Sequence, residues 1–192
     1  MPLGSVCERV VRRAATDTLV VKRTEFSLQG PIVAALDGSH LSFEGLRAAL
    51  SLGQALGLPV EAVATYDPYL HQALFEGLTG VLSPEASSVF RLSEQEDLHE
   101  AIIDKGLGKI YRSHLEKGRQ MASEHGVSLE IALLAGKPVE KLRAFVEERK
   151  AGLLVMGKTG IHGDPSPDMG SVSENLLRLV SCDVLLCSRL RG

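Results

Sequence analysis

Short apolar runs along this chain alternate with stretches in which apolar residues recur every three or four positions, which predicts strands joined by helical crossovers. Residues 31–37, Pro-Ile-Val-Ala-Ala-Leu-Asp, read as a buried strand ending in a carboxylate. A helix over about 42–56 follows, with Phe43, Leu46, Ala49, Leu50 and Leu56 at helical spacing and Gly57 as its stop. Val60 to Thr65 is a second strand, and strand–helix–strand of this length implies a right-handed parallel crossover. Ser93-x-x-Glu96 is a capping box. It opens a long helix carrying Leu98, Ile102, Ile103, Leu107, Ile110, Tyr111, Leu115, Met121 and Ala122, bent at Gly106 and Gly108 and stopped at Gly126. Strands at 127–134 and 152–156 flank a helix over about 139–149, whose Leu142, Phe145 and Val146 point inward. A helix over 172–180 and a strand over 183–187 close the chain. The sum is an α/β fold, an open five-stranded parallel sheet with helices on both faces.

The first thirty residues stand apart. Residues 4–22 align with residues 170–188, 166 positions later, with seven of nineteen identical: Gly, Ser, Val, Glu, Arg, Asp and Leu. A repeat of this kind bears on architecture. Residues 1–30 are expected to be the closing helix and strand of a preceding domain of the same kind plus a linker, and residues 31–192 the domain itself; the other reading is a chance amphipathic helix and strand. The strand at 18–22 cannot stand alone in water and needs a sheet edge.

Residues 67–92 break the alternation. Asp67-Pro68-Tyr69 ends the second strand, and Ser83-Pro84 is a helix start. The segment exceeds what a short connection needs, so it is read as an insertion, either a lid or contact surface over the ligand side of the sheet or an elaborated surface.

Bulk composition narrows the function classes. The 192 residues suffice for one α/β domain with a full core. A net charge of −3 leaves no basic face, which argues against nucleic acid as a partner. No apolar run approaches the ~18 residues a bilayer span needs, and the charged N-terminus lacks a signal-peptide core. Cys7, Cys182 and Cys187 have no metal spacing and are read as buried reduced thiols, which points to the cytoplasm.

The candidate chemistry lies in residues 157–171. Gly157-Lys158-Thr159-Gly160, nine residues, then Gly170-Ser171 sit between the run Leu153-Leu154-Val155-Met156 and a helix start. Glycines permit close backbone approach, and a helix N-terminus offers unpaired N–H groups to an anion, most often phosphate. The plainer reading is a turn-rich loop with Ser171 as helix cap. Asp37, at a strand carboxyl end, could hold a ribose hydroxyl or a metal, or cap the next helix. Met156 could pack on a base, and Lys158 is either a mobile cation for phosphate or a solvated lysine. Asp164 and Asp168 in the spacer would repel phosphates unless a divalent cation lies between. No catalytic constellation is visible, so enzymatic activity is not expected beyond slow hydrolysis of a bound phosphate ligand. His99, His114 and His125 lack ligand spacing and are read as surface residues.

Gly-x2-Gly-x9-Gly-Ser after a Val/Leu/Met strand is neither a P-loop nor G-x-G-x-x-G. With its continuation Val172-Ser173-Glu174-Asn175 and the last strand Asp183-Val184-Leu185-Leu186-Cys187, it resembles the nucleotide-binding motif of the universal stress protein family. Gly136-Lys137-Pro138 also matches the family. The resemblance covers about residues 31–188, the insertion excepted. It implies that ATP, with or without Mg²⁺ or Mn²⁺, lies against Gly157 and Gly160. Phosphate oxygens would meet Gly170, Ser171, Val172 and Ser173, and the adenosine would meet Asp37 and the Thr65 backbone. It further implies final strands paired across a dimer axis, so residues 18–22 are expected to pair with 183–187, in the same chain or its twin. The spacer is more acidic than the family's usual basic or neutral loop. Three functional readings follow: a cytosolic ATP-binding regulator acting through dimer or partner contacts, a dimerisation scaffold that binds no nucleotide, and an autophosphorylating or AMP-transferring enzyme.

Overall fold

The computed structural model of the chain describes residues 4–22, 29–68, 92–161 and 169–188. Its elements in chain order are α1 (Ser5–Arg13), β1 (Thr18–Val20), β2 (Ile32–Ala35), α2 (His40–Leu56), β3 (Val60–Tyr66), α3 (Leu92–Glu124), β4 (Leu129–Ala135), α4 (Pro138–Glu148), β5 (Leu153–Gly157), α5 (Ser171–Leu179) and β6 (Asp183–Cys187). The six strands form one sheet in the order β1-β6-β5-β2-β3-β4. Strands β2 to β6 are parallel, and β1 joins β6 antiparallel, so the sheet is mixed. The expected five-stranded parallel core and its added N-terminal strand are both present, and the added strand pairs within its own chain.

Strand alternation sends side chains to two cores. Val33, Val63, Leu154, Val184 and Leu186 face one side, where Leu142, Phe145 and Val146 of α4 and Leu176 and Leu177 of α5 cover them. Ile32, Ala34, Ala62, Leu153 and Val155 face the other, under Leu46, Ala49 and Leu50 of α2 and Leu115 and Ala122 of α3. The segment α1–β1 adds Val11 and Val20 to the first core. Burying a side chain of this kind contributes about 1.5–3 kcal/mol, so the two valines anchor an element too short to fold alone.

Ends follow local chemistry. Ser39 caps α2, its hydroxyl accepting the Ser42 N–H at 3.2 Å. Gly57 ends that helix at φ 67°, a left-handed conformation that glycine adopts without penalty. α3 runs through Gly106 and Gly108 without interruption, and Ile110 on it is 52% exposed. Cys182 and Cys187 are buried thiols, and Cys7 is half-buried. Burial pushes the Cys182 thiol up to about 11 and Cys187 up to about 12, so both stay protonated at neutral pH. Residues 69–91 of the expected insertion lie outside the described residues.

Candidate functional site

The chain builds β2 to β4 outward in one direction, then returns to place β5 and β6 on the other side of β2. Open α/β sheets bind ligands at such a reversal, beyond the carboxyl ends of the strands. Here a cavity of about 310 Å³ opens at that point, lined by the ends of β2, β3 and β5 and by the start of α5. It brings together Asp37, Thr65, Met156, Gly157, Gly160, Gly170, Ser171, Val172 and Ser173 from the predicted set.

Asp37 holds the site's two loops in register. Its Oδ1 accepts the Ser39 N–H at 2.9 Å, shaping the turn into α2. Its Oδ2 accepts the Ile161 N–H at 3.0 Å, across 124 positions of sequence. Ser39, not Asp37, caps α2, while Asp37 lines the cavity. Thr65 and Met156 are buried at the cavity floor, at 8% and 4% exposure.

The glycine loop is held from beneath. The Gly170 N–H donates to the Lys158 carbonyl at 2.9 Å, and the Lys158 N–H donates to the Cys187 carbonyl at 2.8 Å. The Ser173 hydroxyl donates to the Gly157 carbonyl at 2.8 Å in a buried bond. That hydroxyl's proton is therefore engaged within the fold, and its backbone N–H lies at the helix start. Gly157 has no room for a β-carbon, which would meet the Thr159 carbonyl oxygen at 2.9 Å and Leu41 Cβ at 3.0 Å.

Two expectations are corrected. The N-cap of α5 is Gly170, not Ser171, and no side chain caps the helix. The first-turn N–H groups of Ser171, Val172 and Ser173 thus face the cavity end without a side-chain acceptor from the cap residue, the arrangement an anion fits. Lys158 does not line the cavity. It is 6% exposed, and its ammonium donates to the Arg12 and Ala14 carbonyls at 2.7 Å each. A cation at a helix C-terminus meets unpaired carbonyls and the negative end of the dipole, which is why the side chain turns to α1.

Sequence reasoning missed Tyr111 as a lining residue, having read it as core. It stacks on Tyr66, ring centroids 6.3 Å apart, and meets His114 edge-on at 5.7 Å. Burial, and secondarily the Asp37 charge, raise its phenol pKa. His114 is not a surface residue: its Nδ1 is buried and has no hydrogen-bond partner among the described residues. Burial lowers its pKa, against the opposing pull of Asp37. Helical period alone marked both positions as inward-facing or not, and gave no sign that the loop after β2 would lie beneath them. Pro138, the first residue of α4, also lines the cavity. Asp164 and Asp168 lie outside the described residues, and no cluster of metal-ligating side chains occurs among those described.

Residues 30–188 match the model of the universal stress protein family. The chain belongs to that family. A curated relative, the universal stress protein MJ0531 of Methanocaldococcus jannaschii, is 30% identical over 163 residues, 85% of this chain and 84% of the relative. Among solved structures, the fold is similar to that of the protein MJ0577, with a TM-score of 0.68 and 15% identity, covering 86% of this chain and all of that one. It is also similar to a universal stress protein solved in complex with cAMP, with a TM-score of 0.55 and 24% identity, covering 83% and 97%. No helix among the described residues is long and apolar enough to cross a membrane.

Proposed function

We propose that this universal stress protein binds an adenine nucleotide, ATP, in the cavity at the β2–β5 reversal. The single observation that carries the reading is the meeting of Asp37 with the side-chain-free cap of α5 across one cavity. The base lies over Met156 and Thr65, and the ribose hydroxyls reach Asp37, whose remaining lone pairs accept them. The phosphates follow Gly157 and Gly160 to the N–H groups of Ser171, Val172 and Ser173. Charge-assisted bonds of this kind contribute about 1.5–3 kcal/mol each, and three or four of them, less ordering costs, are compatible with micromolar affinity. The cAMP complex of a relative supports an adenine nucleotide as the ligand class. Mg²⁺ or Mn²⁺ accompanies the phosphates, offsetting the acidic spacer.

The protein then acts as a cytoplasmic regulator. Ligand state is passed to a second copy or another partner at the β1–β6 end of the sheet, with no chemistry on the nucleotide required.

The test is to denature freshly purified protein, identify any released nucleotide by chromatography, and measure metal on the same sample. Near-stoichiometric ATP is expected. A protein that releases none and ignores millimolar ATP with Mg²⁺ overturns the reading. It would favour a dimerisation scaffold instead, the alternative suggested by Asp37 and Ser173 already bonding within the fold.

A further inference from the structure

Tyr111 lines the cavity from α3, close enough to Asp37 to feel its charge. Its ring is held from two sides. Tyr66 stacks on it, with centroids 6.3 Å apart and planes 27° apart, and His114 meets it at 5.7 Å and 69°. Each of those neighbours is seated on a glycine. A β-carbon on Gly108 would touch Tyr66 at 3.5 Å from Cζ and Oη, and one on Gly38 would have no room beside the His114 ring. Tyr111 is thus fixed in place before any ligand arrives, which lowers the ordering cost of using it.

Its hydroxyl is left over. Among the described residues, the buried polar side-chain atoms without a partner are His114 Nδ1 and Ser188 Oγ. The Tyr111 hydroxyl bonds none of those residues either, yet it is not buried, so it is open to a ligand or to water. Burial, and then the Asp37 charge, hold the phenol in its protonated, donating form. Asp37 is the complement. Its carboxylate only accepts, and each oxygen already takes one N–H, from Ser39 on Oδ1 and from Ile161 on Oδ2, which leaves each a further lone pair.

A carboxylate alone accepts from any single hydroxyl. A carboxylate with a fixed phenol donor beside it is answered by two adjacent hydroxyls, each of which can both donate and accept. We propose that Tyr111 is a specificity-determining residue of the cavity, donating to one hydroxyl of a ribose diol while Asp37 accepts from the diol, so that the site selects ribonucleotides over deoxyribonucleotides. The selectivity rests on the nucleotide reading of the cavity and adds the sugar to it. Sites built to bond a hydroxyl reject the analogue that lacks it, because their own polar groups are then left unpaired. Nucleotides esterified at one of the two hydroxyls, 3′,5′-cyclic nucleotides among them, answer only half of the pair.

The test titrates the full chain, native and as Tyr111→Phe, with ATP, 2′-deoxyATP and 3′-deoxyATP in the presence of Mg²⁺, by calorimetry. The substitution keeps the ring and its stacking, and no described residue loses a bond, so the melting temperature is expected unchanged. The native chain is expected to bind ATP about tenfold tighter than either analogue. Tyr111→Phe is expected to lose about tenfold on ATP, but less than about twofold on the analogue that lacks the hydroxyl Tyr111 met. An ATP affinity close to native in the variant overturns the proposal. So does an equal loss on all three ligands, the mark of a residue that only shapes the cavity. Equal affinity of the native chain for ATP and both analogues overturns it without any variant. Those three results leave the nucleotide reading standing; a native chain that binds none of the ligands overturns both.

Discussion

Gly160 stands so close to Asp37 that a β-carbon at that position would lie 2.6 Å from the carboxylate oxygen Oδ2. The same oxygen accepts the neighbouring Ile161 N–H. The glycine is needed for room, and what it makes room for is a carboxylate facing the cavity. Gly160→Ala should displace Asp37 and weaken its bond to Ile161. Stability should fall by about 1 kcal/mol in urea titrations. On the nucleotide reading, affinity should fall about tenfold by calorimetry, ~1.4 kcal/mol. Unchanged ATP affinity would count against Asp37 as a ligand contact.

Ser171 and Ser173 differ by one turn position and should behave differently. The Ser173 hydroxyl is buried on the Gly157 carbonyl, so Ser173→Ala leaves a buried acceptor short of a partner and should cost about 1–3 kcal/mol. Ser171 is exposed, and Ser171→Ala should leave the urea midpoint nearly unchanged while lowering nucleotide affinity modestly.

Lys158 ties the glycine loop to the end of α1. Lys158→Met keeps the stem's packing and removes the ammonium from the Arg12 and Ala14 carbonyls. Hydrogen exchange of residues 5–20 should quicken, with ATP affinity changed less than twofold. A large loss of affinity with unaltered exchange would mean that the ammonium turns to phosphate when ligand is bound.

His114 gives the fold a pH dependence. Burial holds its folded pKa below the ordinary value of about 6.5, so the unfolded chain takes up a proton more readily. Its neutral form is the one the fold accepts. Stability should therefore be constant above about pH 6.5 and decline as pH falls below it. His114→Phe should flatten that decline in thermal melts between pH 7 and pH 5. Gly38 tolerates no side chain beneath the ring, because a β-carbon there would lie 2.2 Å from His114 Cε1, and Gly38 itself turns at φ 91°.

Much of this was legible along the chain. Apolar runs of four or five residues marked β2, β5 and β6, and helical spacing marked α2 and α4, because burial on one or both faces imposes a period that survives in the residue order. The glycine spacing, the carboxylate after β2 and the family resemblance named nearly half of the cavity's lining. The repeat between residues 4–22 and 170–188 announced the sixth strand, since segments of similar pattern bury similar faces.

Other features have no period to read. Asp37 meets Ile161 across 124 positions, and Arg12 meets Glu174 across 162. Whether β1 pairs with β6 of its own chain, and in which direction, depends on the fit of two distant surfaces rather than on either segment. The direction of Lys158 follows from where α1 leaves its last carbonyls. Tyr111 and His114 became site neighbours only when α3 was laid over the turn after β2. Residue order dictates which faces must be hidden from water; which polar groups then find each other is settled by packing, when close approach in a low-dielectric interior makes every unpaired donor and acceptor costly.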